Sequence, residues 1–165
     1  MDTITLNGSL SAKLEAMREA GFEQVMLMAR DLVSHPGGVD AAVQVVHDCG
    51  MRPTGFQVLR DFEGLSGHLH EYKVDIAKAM LQMCAATGAQ TLLACSSSLR
   101  HASQDTDHIV ADLRKLAMLA LPLGIRVAYE ALSWGRQVNE TEVAYDLDRK
   151  STRLNSSHIT ISYAV

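Results

Sequence analysis

The chain has 165 residues, 47% of them hydrophobic and 21% charged, with 15 basic against 19 acidic side chains and a formal net charge of -4. That composition suits one ordinary globular domain or part of a larger one. It has no Lys/Arg cluster to form the basic stripe a nucleic acid partner requires, and its longest apolar runs, Thr91 to Cys95 and Leu116 to Leu123, fall well short of the ~20 residues that span a bilayer, so neither nucleic acid nor membrane is expected as a partner.

In chain order, Thr3–Leu6 reads as a first β-strand, and it runs into Asn7-Gly8-Ser9 without a dinucleotide-binding G-x-G-x-x-G loop. Met1-Asp2 before it lacks the basic start and apolar core of a secretory signal. A helix follows from a Ser9 or Ser11 cap through Leu14 and Met17 to Ala20, then a strand over Gln24–Met28. A second helix covers Val39 to Cys49, and a strand covers Thr54–Leu59. The third helix, Leu69 to Thr87, sets Tyr72, Ile76, Met80 and Met83 on one face and leads to a strand at Thr91–Cys95. A fourth, capped by Thr106 or Asp107, carries Ile109, Leu113, Leu116 and Ala120 and leads to a strand at Arg126–Glu130. Each of the four helices is followed by a glycine, at Gly21, Gly50, Gly88 and Gly124, which supplies the left-handed conformation that ends a helix. The Met and Leu stripes read as core. Cys49, Cys84 and Cys95 are odd in number and lack C-x-x-C spacing, as expected of reduced thiols in the cytoplasm.

From Asp148 the character changes. The string DRKSTRLNSSHITISYAV is rich in Ser, Thr, Arg and Asn and carries no core face. It resembles the frame-one translation of a sequencing-library adapter, so residues 148–165 are expected to be a non-native tail, with native information in 1–147 and a natural protein that continues differently.

Short apolar strands separated by roughly 20 to 40 residues define βα units, and hence an α/β fold with a parallel sheet. Two architectures fit: a doubly wound open sheet, or the N-terminal part, about five βα units, of a (β/α)8 barrel, whose full length is ~250 residues. In both, chemistry collects at the carboxyl ends of the strands. Those positions hold Asn7, Arg30 and Asp31, then Arg60, Asp61 and Glu63, then Ser96 to Ser98, then Glu130. Glu130 stands out because it closes the apolar run from Ile125 and precedes Ala131, Leu132 and Trp134. A carboxylate in apolar surroundings calls for a divalent metal or a basic partner. Arg60 and Asp61 either grip an anionic substrate or tie the loop down as an ion pair. Ser96 to Ser98 offer hydroxyls but no nucleophile elbow. His68-x-His70 with Glu71 is only superficially a metal cluster, and Cys95 reads as a small core residue.

Gly21-Phe22, Arg60-Asp61-Phe62-Glu63-Gly64, Cys95-Ser96 and Tyr129-Glu130-Ala131-Leu132-Ser133-Trp134-Gly135-Arg136 together resemble the bacterial 3-dehydroshikimate dehydratases. These belong to the xylose isomerase-like TIM barrels of the sugar phosphate isomerase/epimerase superfamily. The resemblance implies a lyase of quinate and shikimate catabolism that removes water from 3-dehydroshikimate to give protocatechuate. It also implies a divalent metal (Mg2+, Mn2+ or Co2+) whose first ligand matches Glu130, the remaining ligands coming from later strands. By the same likeness Arg60 meets the substrate carboxylate, Asp61 and Ser96 stand beside it, and Trp134 and Arg136 shape the mouth. In many such enzymes a 4-hydroxyphenylpyruvate dioxygenase-like domain follows the barrel. Two positions depart from the pattern: Gln24–Met28 ends without an acid, and Gln137 stands where a His is expected. A sister isomerase or epimerase is therefore the alternative for the whole enzyme. For this chain alone, the alternative is a non-catalytic incomplete barrel that self-associates into a homo-oligomer through the edges of its first and fifth strands.

Overall fold

A computed structural model describes residues 1–152 and 159–161. Five strands form one sheet in the order β1-β2-β3-β4-β5, every adjacent pair parallel: β1 (Gln24–Met28), β2 (Arg52–Arg60), β3 (Thr91–Cys95), β4 (Arg126–Glu130) and β5 (Ile159–Ile161). Six α-helices accompany them: α1 (Leu10–Glu19), α2 (Ala29–Val33), α3 (Gly38–Asp48), α4 (Gly67–Ala86), α5 (Thr106–Ala120) and α6 (Thr141–Thr152). The strand order never reverses, so the sheet has no switch point of the doubly wound kind. Of the two expected architectures it is the N-terminal part of the barrel: α1 packs on α3, α3 on α4, α4 on α5 and α5 on α6, a single helical layer outside a sheet that advances one strand at a time.

Alternation along the strands divides the sheet into two faces. Val25, Leu27, Phe56, Leu59, Leu92, Val127 and Tyr129 are buried in the core beneath the helices, with Leu14, Met17, Leu81, Leu113 and Leu116 packed on them. Met26, Met28, Leu93, Cys95 and Glu130 alternate with them onto the opposite face. In β2, Phe56 pairs with Leu92 but Leu59 with Ala94, so one extra residue is accommodated on the β2 side. That bulge turns both Phe56 and Leu59 to the core and brings Arg60 into register with Cys95.

The local signals act as expected at the helix ends. Ser9 caps α1 by accepting from the Ala12 N–H at 3.3 Å, and Gly124, at φ 65, ends the helical run that follows α5. The α5 cap falls one residue before the expected pair, on Asp105, whose Oδ1 accepts from the Asp107 N–H at 3.0 Å.

The expected first strand is a correction. Thr3–Thr5 is a turn of 3-10 helix, because Asp2 Oδ1 accepts from the Ile4 N–H at 2.9 Å and Thr3 Oγ1 takes the Met28 N–H at 2.9 Å, in place of a strand ladder. Only Asp2 bridges to the sheet, opposite Met26. The other outer edge differs as well, since Val127–Tyr129 of β4 pairs with β5. The expected boundary at Leu147 falls inside α6. Its core residues Ala144 and Leu147 precede that point, while Glu142 in the first turn and Arg149 and Lys150 in the last complement the helix dipole. Residues 153–158 and 162–165 of the tail lie outside the described residues.

Candidate active site at the carboxyl ends of the strands

Three adjacent strand ends stand in register: Arg60 opposite Cys95, and Cys95 opposite Glu130. Matched positions in parallel strands share a face, so these side chains project from the side away from the helices. Glu130 is half-buried, and Cys95 Sγ donates to its Oε2 at 3.2 Å. Burial pushes the Cys95 thiol up to about 12, reinforced by the hydrogen bond and charge of Glu130 and opposed by Arg60. It is a neutral donor, without the thiolate character a nucleophile needs. Arg60 is exposed, and its carbonyl accepts from Lys73 Nζ at 2.8 Å.

The loops above this row are fastened to one another. Asp61, at φ 53, accepts through Oδ1 from the Ser98 N–H at 2.9 Å and the Ser98 hydroxyl at 3.2 Å. Glu63 is 2% exposed, and its Oε1 accepts from the Ser97 N–H and from the Tyr129 hydroxyl, the latter at 2.9 Å. Burial pushes its carboxyl above the ordinary 4.5, against the hydrogen bonds from Ser97 and Tyr129 that pull it down. Burial and the neighbouring Glu63 likewise hold the Tyr129 hydroxyl well above its usual range. Ser96 Oγ accepts from the Leu132 N–H at 2.9 Å, and the Ser97 carbonyl accepts from the Arg136 N–H at 2.7 Å. Gly135 sits where an added Cβ would lie 2.6 Å from Ser96 Oγ and 2.4 Å from the Val138 carbonyl, so the loop after β4 closes onto the loop after β3 only with glycine there.

Of the sequence-derived candidates, the structure draws Arg60 and Glu130 to one face and puts Ser96 beneath the loop that carries Trp134 and Arg136. Asp61 is turned to Ser98. Trp134 is 71% exposed, and the Arg136 guanidinium faces Gln104, donating through Nη2 at 2.8 Å and Nε at 3.2 Å when the amide oxygen is turned toward it. His68 and Glu71 pair at 3.0 Å on an exposed turn, while His70 turns inward, its Nδ1 3.7 Å from Asp112 Oδ1. Asp31 forms a largely buried ion pair with Lys13 at 2.7 Å. Two residues escape a reading of sequence alone. The placement of Glu63 between Phe62 and Leu65 hints at burial, and Asp112 falls on the apolar stripe of α5 between Ile109 and Leu116. Asp112 Oδ2 accepts from the Gly64 N–H at 2.8 Å and so holds the loop after β2 from below.

A metal needs several converging donors. Among the described residues no three His, Cys, Asp or Glu side chains converge as a metal site. Glu130 offers one carboxylate with spare acceptor capacity, and the donor set is not complete without others.

A parallel sheet advancing strand by strand under one layer of helices, with its polar groups gathered at the carboxyl ends, defines part of a (β/α) barrel. Residues 14–163 match the model of the xylose isomerase-like TIM barrel family, and the chain belongs to that family. It is 35% identical over 161 residues to the 3-dehydroshikimate dehydratase of Pseudomonas aeruginosa, a match that covers 98% of this chain and 25% of the relative. A solved xylose isomerase-like TIM barrel/4-hydroxyphenylpyruvate dioxygenase fusion protein superposes with a TM-score of 0.87 at 33% identity, over 97% of this chain and 25% of that one. The IolI protein, solved with a binding zinc atom, shares the fold with a TM-score of 0.78 at 19% identity, over 98% of this chain and 60% of its own. The chain thus spans about a quarter of the length of the curated relatives it matches.

Proposed function

We propose that this chain contributes the first βα units of a divalent-metal-dependent lyase that dehydrates 3-dehydroshikimate to protocatechuate, with Glu130 as the first carboxylate of the metal site. The observation that carries the reading is the identity to a 3-dehydroshikimate dehydratase along 98% of the chain. Glu130 suits its role because it ends a barrel strand, half-buried, with a neutral thiol as its hydrogen-bond donor among the described residues. Arg60 stands two strands away on the same face, where an exposed guanidinium meets a substrate carboxylate in a bidentate fork. Asp61 and Ser96 shape the floor of the loops, and Trp134 and Arg136 the mouth. The reading extends to a 4-hydroxyphenylpyruvate dioxygenase-like domain after the barrel, supported by the likeness to the solved fusion protein.

The test is protocatechuate formation from 3-dehydroshikimate by the full-length parent enzyme with Mg2+, Mn2+ or Co2+. Turnover that Glu130→Gln abolishes is the expected result. Unchanged turnover in that variant removes Glu130 from the ligand set, and epimerisation of a ketose without dehydration moves the protein to the sister isomerases and epimerases. The 165-residue chain alone is expected to show no turnover, because the described residues supply a single carboxylate donor on this face.

A further inference from the structure

Glu63 is the most enclosed acid in the loops above the strand ends, and the proposed chemistry does not use it. Its Oε1 joins three segments: its own loop after β2, the Ser97 N–H after β3, and the Tyr129 hydroxyl on β4, one residue before Glu130. The next residue, Gly64, is held from two sides, its N–H by Asp112 Oδ2 at 2.8 Å and its carbonyl by the Ser103 N–H at 2.7 Å. Asp61 on the other flank reaches Ser98 but not β4. Glu63 is thus the member of this loop that ties it to the strand carrying Glu130.

We propose that Glu63 is a positioning residue: by accepting from Ser97 and Tyr129 together it fixes where Glu130 stands relative to Arg60 and Cys95. The proposal rests on the reading of Glu130 as a site residue. The Ser97 and Tyr129 hydrogen bonds both fall on Oε1, and among the described residues Glu63 Oε2 and the neighbouring Ser97 Oγ are buried without hydrogen-bond partners. An amide keeps that acceptor oxygen, whereas an alkyl group of similar bulk fills the space and loses it. Gln at this position is therefore expected to restore what Leu cannot, whereas a role in packing alone predicts that both variants stay close to the parent.

The experiment compares Glu63→Gln and Glu63→Leu with the unmodified 165-residue chain, reading amide hydrogen exchange at Ser97 and the side-chain carboxyl 13C resonance of Glu130, assigned through Glu130→Gln. The expected result is Ser97 exchange at least about tenfold faster in the Leu variant and within about threefold of the parent in the Gln variant. The Glu130 resonance should move in the Leu variant and stay in place in the Gln variant. An unmoved Glu130 resonance in the Leu variant, or a Gln variant as altered as the Leu variant, overturns the proposal. Should the Leu variant fail to fold, Tyr129→Phe, which removes the hydroxyl donated to Glu63 Oε1, takes its place: a Glu130 resonance that stays where it is in the parent overturns the proposal, and one that moves sustains it. None of these readouts depends on metal or turnover. Failure of Glu130→Gln to affect the parent enzyme therefore overturns the functional reading and leaves this result standing.

Discussion

Glu63 and Glu130 are carboxylates on neighbouring pieces of the same rim, and their surroundings are opposite. Glu63 is sealed at 2% exposure and accepts from a backbone amide and a tyrosine hydroxyl, all on one oxygen. Glu130 is half-buried, faces away from the helices, and among the described residues meets one weak donor, the Cys95 thiol. An ionised carboxylate has about four acceptor sites. The sealed acid engages its accepting oxygen in holding loops, while the open one leaves most of its acceptor sites unengaged among the described residues. Proximity to the strand ends therefore does not by itself mark a residue for chemistry; the count of partners already engaged separates the two.

The largest expected effect comes from cutting the sealed acid. Glu63→Ala leaves the Ser97 N–H and the Tyr129 hydroxyl without an acceptor and opens a small cavity, a cost of about 3 kcal/mol, read as a lower urea midpoint. A loss below about 1 kcal/mol would erase the contrast with Glu130.

A smaller effect follows from pH. Burial raises the folded-state value for Glu63, so the folded chain holds that proton more tightly than the unfolded chain. The stabilisation is whole below the ordinary 4.5 and drains away as pH climbs through the raised value. Glu63→Gln cannot titrate, so as pH climbs above the carboxylate range it should lose less stability than the parent and show a flatter profile. Parallel stability curves for the two proteins would show that Glu63 is not the buried proton carrier.

The smallest effect belongs to the open acid. Glu130→Gln should alter the unfolding free energy by no more than about 0.5 kcal/mol, read from the urea midpoint, as for a substitution that breaks one thiol contact. A cost comparable to that of Glu63→Ala would mean that Glu130 is structural too.

Much of the scaffold is legible in the chain. Gln24–Met28, Thr91–Cys95 and Arg126–Glu130 are strands over the same residues their apolar runs mark, because a strand covered by helices announces itself as a short apolar stretch between a helix-ending glycine and a polar loop. Thr3–Leu6 has the same look and fails, since Asp2 Oδ1 offers the Ile4 N–H a local partner and the Thr3 hydroxyl takes the Met28 N–H, 25 residues away, where a strand ladder would have used a backbone carbonyl. The helix α2 is too short to show a period. At the site, Glu130 is visible as an acid in apolar company. The role of Glu63 is not, because it depends on Ser97 and Tyr129, which lie 34 and 66 residues away in sequence. Asp112 is marked by its place on an apolar stripe, but its partner Gly64 is 48 residues distant.

The unbroken order β1-β2-β3-β4-β5 has a consequence for how the protein is made. Each strand docks against the one synthesised just before it, so every crossover closes a loop no larger than one βα unit and the entropy of closure stays modest. A nascent chain leaving the ribosome can lay down these strands in the direction of translation, each from β2 onward meeting a partner that has already been made.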